Sequence, residues 1–210
     1  MKKSIFGRLT TIVFCAALLT LAFTIQTMAQ SSSSGNIKTT ITQVRMLATG
    51  AVVPQSGGSL SRNNDAVFGQ ISTSGLTPGN VVTVWWSIFN NPEYCAAPVC
   101  AASDFNNPLV NGSLQYGGGL IVGAGGRASF AGYLTEGDNT GFYLNPAFPN
   151  LPNPAPGIVD TKSAQIHMAI RNHGPASADP AVLALQLTTF PGGCSMANPC
   201  ATVQAAPFLQ

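Results

Sequence analysis

The stretch Val81-Val-Thr-Val-Trp-Trp-Ser-Ile-Phe89 decides the fold of this 210-residue chain. Nine consecutive residues rich in β-branched and aromatic side chains, without glycine or proline, are typical of a β-strand. Because adjacent strand residues face opposite sides of a sheet, we expect one ring of Trp85-Trp86 in the core and the other on the outer face. An exposed outer ring would be an aromatic contact surface, and a covered one would serve packing.

Further short apolar or alternating segments surround this one, and glycine, proline and asparagine separate them. The other candidate strands are residues 39–47, 66–74, 109–116, 119–122, 127–134, 163–171, 182–190 and 201–206. No 12-residue stretch after the N-terminal segment has the capped 3.6-residue period of a helix. The sequence therefore predicts an all-β protein, an antiparallel β-sandwich with Greek-key or immunoglobulin-like connections.

Two loop segments carry specific expectations. The glycine runs at 117–119 and 123–126 predict a hairpin turn with a bulge, because a strand rather than a helix follows them. Residues 145–157 contain five prolines and predict an extended segment over the surface, either as a rigid crossover or as the wall of a groove.

The N-terminus has the three-part layout of a secretory signal peptide. Lys2, Lys3 and Arg8 precede an uncharged apolar run at 11–25, and small residues lead up to Ala29. The run is too short to span a bilayer. We expect a signal peptide at 1–29, a polar tether at 30–36 and a single β-sandwich domain at 37–210. The mature protein would be extracellular or periplasmic, with no transmembrane segment after cleavage.

Charge is sparse, at 8% of residues, and the formal net charge is +2. Three of the nine basic residues lie in the predicted signal peptide. The remaining six face seven acidic residues, so the mature chain has a formal net charge of −1. Such a chain has no basic excess to neutralise phosphates, which argues against nucleic-acid binding.

Four cysteines remain after cleavage, in two local pairs: Cys95 with Cys100, and Cys194 with Cys200. An even number in an exported chain predicts two small disulfide loops, although three pairings are formally possible. The spacings are wider than the C-x2-C typical of zinc sites and redox dithiols. Phe-Asn-Asn-Pro occurs on both sides of the first pair, at 89–92 and 105–108. This predicts that the chain leaves the sheet and re-enters it through matching turns, with one disulfide-bridged loop between them.

The two histidines, His167 and His173, lie in and just after the candidate strand at 163–171. Alternation places His167 and Arg171 on one face and the apolar Ile166, Met168 and Ile170 on the other. Two residues six apart in a strand are about 20 Å from each other, so the histidines are not expected to share a metal ion. His167 is either a hydrogen-bonded, semi-buried group or a catalytic base supported by Arg171.

Ser163-Ala-Gln-Ile-His167, followed by His173-Gly-Pro-Ala176, resembles the His and Gly-Pro pattern of secreted CHRD-type domains, and Leu76-Thr-Pro-Gly79 is similar to a feature of that family. The resemblance implies a β-sandwich. Gln165 stands where the pattern has its first histidine, so a paired-histidine metal role does not carry over. The chain also resembles uncharacterised exported bacterial proteins with cysteine-stapled loops.

These observations predict an exported, noncatalytic binding or structural module of the cell envelope or extracellular space. Its candidate contact residues are Trp85, Trp86, His167 and Arg171, and its partner a surface polymer, a carbohydrate or another envelope protein. No cofactor or metal is expected. The alternative is a small secreted hydrolase or a metal-binding protein centred on His167.

Overall fold

The computed structural model describes residues 37–210 except Asn145 and Ala147, so the predicted signal peptide and tether lie outside the described residues. In chain order the strands are β1 (Lys38–Thr42), β2 (Arg45–Met46), β3 (Gly57–Arg62), β4 (Ala66–Thr73), β5 (Asn80–Phe89), β6 (Gly112–Ile121), β7 (Ala128–Thr135), β8 (Gln165–Pro175) and β9 (Ala201–Phe208). One helix, α1 (Pro180–Thr188), precedes β9.

The strands form two antiparallel sheets, which confirms the predicted β-sandwich. The four-stranded sheet has the order β1-β3-β4-β7, and the five-stranded sheet has the order β2-β9-β8-β5-β6. Within the described residues no helix is long and apolar enough to cross a membrane.

The core lies between the two sheets and follows the predicted alternation. Ile166, Met168 and Ile170 of β8 point into it, as expected. Trp86 also points inward, and its ring packs against Gly69 of the opposite sheet, where a Cβ would lie 2.5 Å from the indole. A side chain at position 69 would therefore displace the largest group in the core.

The predicted strand at 182–190 is wrong, because residues Pro180–Thr188 form α1. Asp179 caps this helix by accepting hydrogen bonds from the backbone N–H groups of Ala181 and Val182. Proline at the first helical position and a run of leucine, alanine and glutamine favour the helix over a strand. The Asp179-Pro180 pair is the start signal that the sequence analysis missed.

Two other predictions need correction around the glycine runs. Residues 109–116 and 119–122 do not form two strands, because β6 runs continuously from Gly112 to Ile121. The predicted bulge is present, since Val84 pairs with Gly118 and Trp85 with Tyr116, which leaves Gly117 as the extra residue. The turn at 123–126 is not a hairpin, because it joins β6 and β7 of different sheets.

The strand β3 was also missed. Its Gly-Gly-Ser start resembles a loop, but Gly58 lies in the sheet beneath the ring of Phe208, and a Cβ at Gly58 would come within 2.9 Å of that ring. The small residue is needed for packing between the sheets, and it lowers the strand signal of the local sequence.

Both predicted disulfides are present, each between the two cysteines of one local pair. Cys95 and Cys100 are joined with an S–S distance of 2.07 Å, and Cys194 and Cys200 with one of 2.00 Å. The first bridge lies in an excursion between β5 and β6 that contains three short 3₁₀ turns. We call residues 90–111 the stapled excursion.

Candidate functional site

The outer face of the five-stranded sheet carries a cavity of about 670 Å³, which we call the outer-sheet cavity. Its floor is set by Ala169 of β8 and Ala205 of β9, which are directly paired across the two strands. Small side chains at these two positions leave space above the sheet. The stapled excursion, the 45–50 turn and Phe190 after α1 surround that space.

Aromatic rings form the walls at two ends of the cavity. At one end Phe89 stacks on Phe105 with ring centroids 4.6 Å apart, and Phe148 packs against Phe105 at 5.4 Å. Phe148 comes from the proline-rich segment, which therefore contributes a wall of the cavity, one of its two predicted roles. At the other end Trp85 meets Phe190 edge to face at 5.1 Å. A ligand in the cavity would lie between two aromatic clusters.

Trp85 faces away from Trp86, as the strand period requires, but its ring is only 2% exposed. Tyr116, Tyr143 and Phe190 cover it, with ring centroids 5.1 to 5.7 Å away. Of the two alternatives for the outer ring, Trp85 is therefore the covered one and does not form an exposed aromatic surface. These covering side chains lie more than 30 residues away in sequence, so the local pattern carries no sign of them.

His167 lies at the Phe89 end of the floor, 9% exposed and with its ring centroid 5.1 Å from that of Phe89. Its Nε2 is 2.9 Å from Oε1 of Gln165. Two backbone groups fix the orientation of that amide, because Gln165 Nε2 donates to the carbonyl of Pro98 and Oε1 accepts from the N–H of Cys100. Since Oε1 can only accept, His167 Nε2 carries the proton and Nδ1 is the unprotonated nitrogen.

Burial lowers the pKa of His167 from its ordinary value to about 4, so the ring is neutral at pH 7. The hydrolase alternative needs a serine or a carboxylate in hydrogen-bond reach of this ring. Ser87 is paired with His167 across β5 and β8, yet no hydrogen bond joins the two, and Gln165 is the only side-chain partner of His167 among the described residues. This arrangement fits the hydrogen-bonded, semi-buried group better than an activating base.

Arg171 lies on the same face of β8, two residues after Ala169, at the end of the cavity where Trp85 and Phe190 meet. Its guanidinium carbon is 3.9 Å from the ring centroid of Phe190, and its Nε donates to the Phe190 carbonyl at 2.8 Å. Arg45 of β2 is the second arginine of the lining and donates to the carbonyl of Gly50. No Asp or Glu is found among the lining residues of the described chain.

His173 has a different role. Its Nδ1 donates to the carbonyl of Gly192 at 2.8 Å, so its Nε2 accepts from the hydroxyl of Thr83. The same hydroxyl accepts from the indole N–H of Trp85 at 2.8 Å. This chain of hydrogen bonds holds Trp85 and the loop after α1 in place, which makes His173 a structural residue.

Metal-ligating side chains converge at two places in the described residues, and neither includes His167. One group is His173, Cys194 and Cys200, and the other is Cys95, Cys100 and Asp104. In both groups the cysteines are joined in a disulfide, so they offer no thiolate to an ion. Asp104 is instead used by the backbone N–H groups of Ala96 and Ala101.

The large exposed aromatic rings of the sandwich sheets lie on the four-stranded sheet, on a surface that the sequence analysis did not single out. Phe68 and Tyr133 are paired across β4 and β7, and they are 49% and 73% exposed. Their neighbours on this face are all uncharged: Thr39, Ile41, Ser59, Ser61, Gln70, Ser72, Ser129 and Ala131. We call this surface the neutral face. The alternation within residues 66–74 was the available signal for it.

Comparison of the sequence with protein-family models and with curated proteins gives no match. The cavity, its arginines and the neutral face are the structural features that bear on function.

Proposed function

We propose that this protein is an exported, noncatalytic binding protein that takes up a small apolar molecule in the outer-sheet cavity. The observation that carries the proposal is the cavity itself, about 670 Å³ in volume with walls of phenylalanine and tryptophan over an alanine floor. Sites for small organic ligands are concave, have volumes of about 300–1,000 Å³ and are mostly apolar, with few polar groups.

The polar groups of the cavity support binding rather than turnover. His167 is neutral, is held by Gln165 and lacks an activating partner among the described residues. Its unprotonated nitrogen and the hydroxyl of Ser87 offer hydrogen bonds that orient a bound molecule. Such groups fix a ligand in place without supplying the nucleophile and base of a hydrolase.

Two matched variants test the proposal. The probe is N-phenyl-1-naphthylamine, an uncharged dye whose emission rises in an apolar site. We expect saturable binding to the wild-type protein and at least a tenfold loss of affinity in Ala169→Phe, whose ring fills the space above the floor. Ala131→Phe adds the same ring to the neutral face and should bind as the wild type does. Equal binding by all three proteins, or no saturable binding, would refute the proposal.

The two disulfides support the exported part of the proposal, because disulfides persist in oxidising compartments. The predicted signal peptide at 1–29 would direct the protein to the periplasm or the extracellular space. Mass spectrometry of the protein secreted or released from cells tests this directly. We expect an N-terminus at Gln30, whereas an intact Met1 terminus in the cytosol would contradict export.

The neutral face supports a second candidate function, contact with a neutral carbohydrate polymer. The paired rings of Phe68 and Tyr133 can stack on sugar faces, and the surrounding hydroxyl and amide groups can hydrogen-bond to sugar hydroxyls. The uncharged described residues paired around the two rings match a neutral polymer better than a charged one. A domain resembling the secreted CHRD-type domains is compatible with either function.

Pull-down on microcrystalline cellulose and on chitin, with an acidic polysaccharide as comparison, tests this second candidate. We expect retention on at least one neutral polymer, lost in the double variant Phe68→Ser/Tyr133→Ser. Leu185→Ser removes an exposed apolar side chain from α1 instead and should leave retention unchanged. Equal retention of all three proteins on every polymer would exclude a role for the two rings.

A further inference from the structure

The outer-sheet cavity contains a cation whose charge has no partner in the described protein. Arg171 is half-buried, and its Nε bonds to the Phe190 carbonyl while one terminal nitrogen lies 3.9 Å from the sulfur of Cys194. A guanidinium has five N–H donors in a planar fork, so most of its hydrogen-bonding capacity toward the cavity is unused.

Arg62 shows how this protein holds the terminal nitrogens of an arginine that has only a structural role. Its two terminal nitrogens donate to three backbone carbonyls, those of Thr161, Ala164 and Phe208, at 2.7, 2.8 and 3.3 Å. Arg62 lies inside the fold and does not line the cavity. Arg171 has no comparable set of carbonyls, although burial disfavours its charge as well.

The charges around the cavity have one sign. Arg45 and Arg171 are positive, His167 is neutral, and none of the seven acidic residues of the described chain lines the space: Asp65, Glu93, Asp104, Glu136, Asp138, Asp160 and Asp179. In an apolar site, an anion offsets the cost of desolvating a fixed guanidinium, and a carboxylate matches its fork in two hydrogen bonds.

The order of side chains along β8 indicates the length and the polarity of the rest of the ligand. Arg171 and His167 lie on one face four residues apart, which is about 13 Å in a strand. Ala169 lies between them, and the floor between the two polar groups is apolar. A bound molecule with an acidic group at Arg171 would extend its apolar part over Ala169 toward the Phe89 and Phe105 rings.

We infer that the ligand of the outer-sheet cavity is an amphipathic carboxylic acid, with its carboxylate on Arg171 and its apolar body between the two aromatic clusters. This inference rests on the proposed function. Aryl acids and medium-chain fatty acids both join a carboxylate to an apolar body. They differ in the shape of that body, which is a flat ring system in one class and a flexible chain in the other. Arg171 is the residue that gives preference for the acid over its neutral counterpart.

Matched pairs of probes separate the charge from the body. Calorimetric titration compares 2-naphthoate with 2-naphthamide, and decanoate with decanamide, on the wild-type protein, Arg171→Met and Arg127→Met. We expect the wild type to bind at least one acid about tenfold or more tightly than its amide, because charge-assisted hydrogen bonds are the strong ones. The acid that shows this preference identifies the aryl or the aliphatic class.

In Arg171→Met the preference should disappear, while affinity for the amide changes less than twofold. Arg127→Met removes an exposed arginine that does not line the cavity and should retain the preference. If Arg171→Met does not fold, the acid-over-amide ratio of the wild type and its decrease with salt decide the question. Equal binding of acid and amide by the wild type overturns this inference but leaves the proposed function standing. Failure to bind any of the four probes, with no dye binding either, overturns both.

Discussion

Phe89 and Phe105 stack face to face, with ring planes inclined by 10° and centroids 4.6 Å apart. Each is the first residue of a Phe-Asn-Asn-Pro sequence, so the repeated tetrapeptide brings the two ends of the stapled excursion onto one another. Asn91 and Asn107 repeat the pattern, since the amide of each donates to a backbone carbonyl near the opposite copy, Leu109 and Tyr94 respectively. The excursion is thereby fixed as a wall of the cavity.

Phe105→Ala should therefore reduce both stability and binding. Phe105 is buried in a second cluster with Phe89, Val110 and Leu151, and truncation of such a ring costs about 3–5 kcal/mol. Urea unfolding measures the loss in the free energy of unfolding. The dye titration measures the loss of affinity that results when this wall of the cavity is removed. Leu109→Ala truncates an exposed side chain of the same excursion and should change stability by less than about 0.5 kcal/mol. Similar losses in both variants would mean that the stack is not the anchor.

The Cys95–Cys100 bridge should matter for His167 as well as for stability. Cys100 donates its N–H to Gln165 Oε1, which also accepts the hydrogen bond from His167 Nε2. The double variant Cys95→Ser/Cys100→Ser is expected to lose about 2 kcal/mol, the typical contribution of a short disulfide loop. It should also shift the ring signals of His167 in an NMR spectrum.

The second bridge supplies the control for that experiment. Cys194→Ser/Cys200→Ser opens a loop of nearly the same length, so a similar loss of stability is expected. This bridge lies beside His173 and Arg171, so the His173 signals should move instead. Movement of the His167 signals in both variants would contradict the proposed link through Gln165.

The buried imidazole of His167 predicts a pH dependence of stability with a definite sign. Its folded-state pKa is about 4, below the value of about 6.5 in an unfolded chain. Between these values the unfolded chain binds a proton that the folded chain does not, so stability rises with pH and is lost as pH falls from 6.5 toward 4. One such group contributes a slope of up to about 1.4 kcal/mol per pH unit.

His167→Gln isolates this contribution, because glutamine keeps an amide donor near Gln165 but does not titrate. Urea unfolding at intervals from pH 4 to 8 should give a shallower slope for the variant than for the wild type between pH 4 and 6.5. Burial also lowers the pKa of His173, but that residue is present in both proteins and cancels in the comparison. Parallel slopes would show that His167 does not cause the dependence.

Asp179→Ala should weaken α1 and, through it, the cover over Trp85. The Asp179 carboxylate satisfies two backbone N–H groups at the helix start, and loss of such a cap costs about 1 kcal/mol. Tyr116 donates its hydroxyl to the carbonyl of Leu187 at the other end of α1, so loosening the helix should change Trp85 fluorescence. Asp179→Ser retains a capping oxygen and should behave nearly as the wild type does.

The parts of the fold that were predictable depend on local patterns. The alternation in β8 divides its residues between the core and the cavity floor, and the short cysteine spacings produce local disulfides. The outcome for Trp85 was not predictable in this way, because Tyr143 and Phe190 cover it and neither belongs to its strand. The cavity is likewise assembled from segments scattered between Arg45 and Pro207. Only the tertiary structure places Arg171 over the ring of Phe190, with no Asp or Glu of the described residues lining the space around it.

The helix shows how a weak local signal can be overlooked. Residues 182–190 contain valine, leucine, threonine and phenylalanine, which suit a strand, and α1 has only nine residues. Asp179 and Pro180 outside that window decide the conformation. Packing then favours the helix, since Gly119 lets its last turn approach β6, where a Cβ would lie 2.2 Å from the Leu187 carbonyl oxygen.

Trp85 and Trp86 divide two tasks between neighbouring residues, since one ring fills the space between the sheets and the other borders the cavity. Side chains above Ala169 and Ala205 can therefore change without disturbing the layer that holds the sheets together. A protein built in this way can acquire a new ligand by exchanging residues of the alanine floor, while the Phe89–Phe105 stack and the Cys95–Cys100 bridge stay in place. The same separation makes the sandwich a usable scaffold for engineered receptors, in which selectivity is redesigned on one side and thermal tolerance on the other.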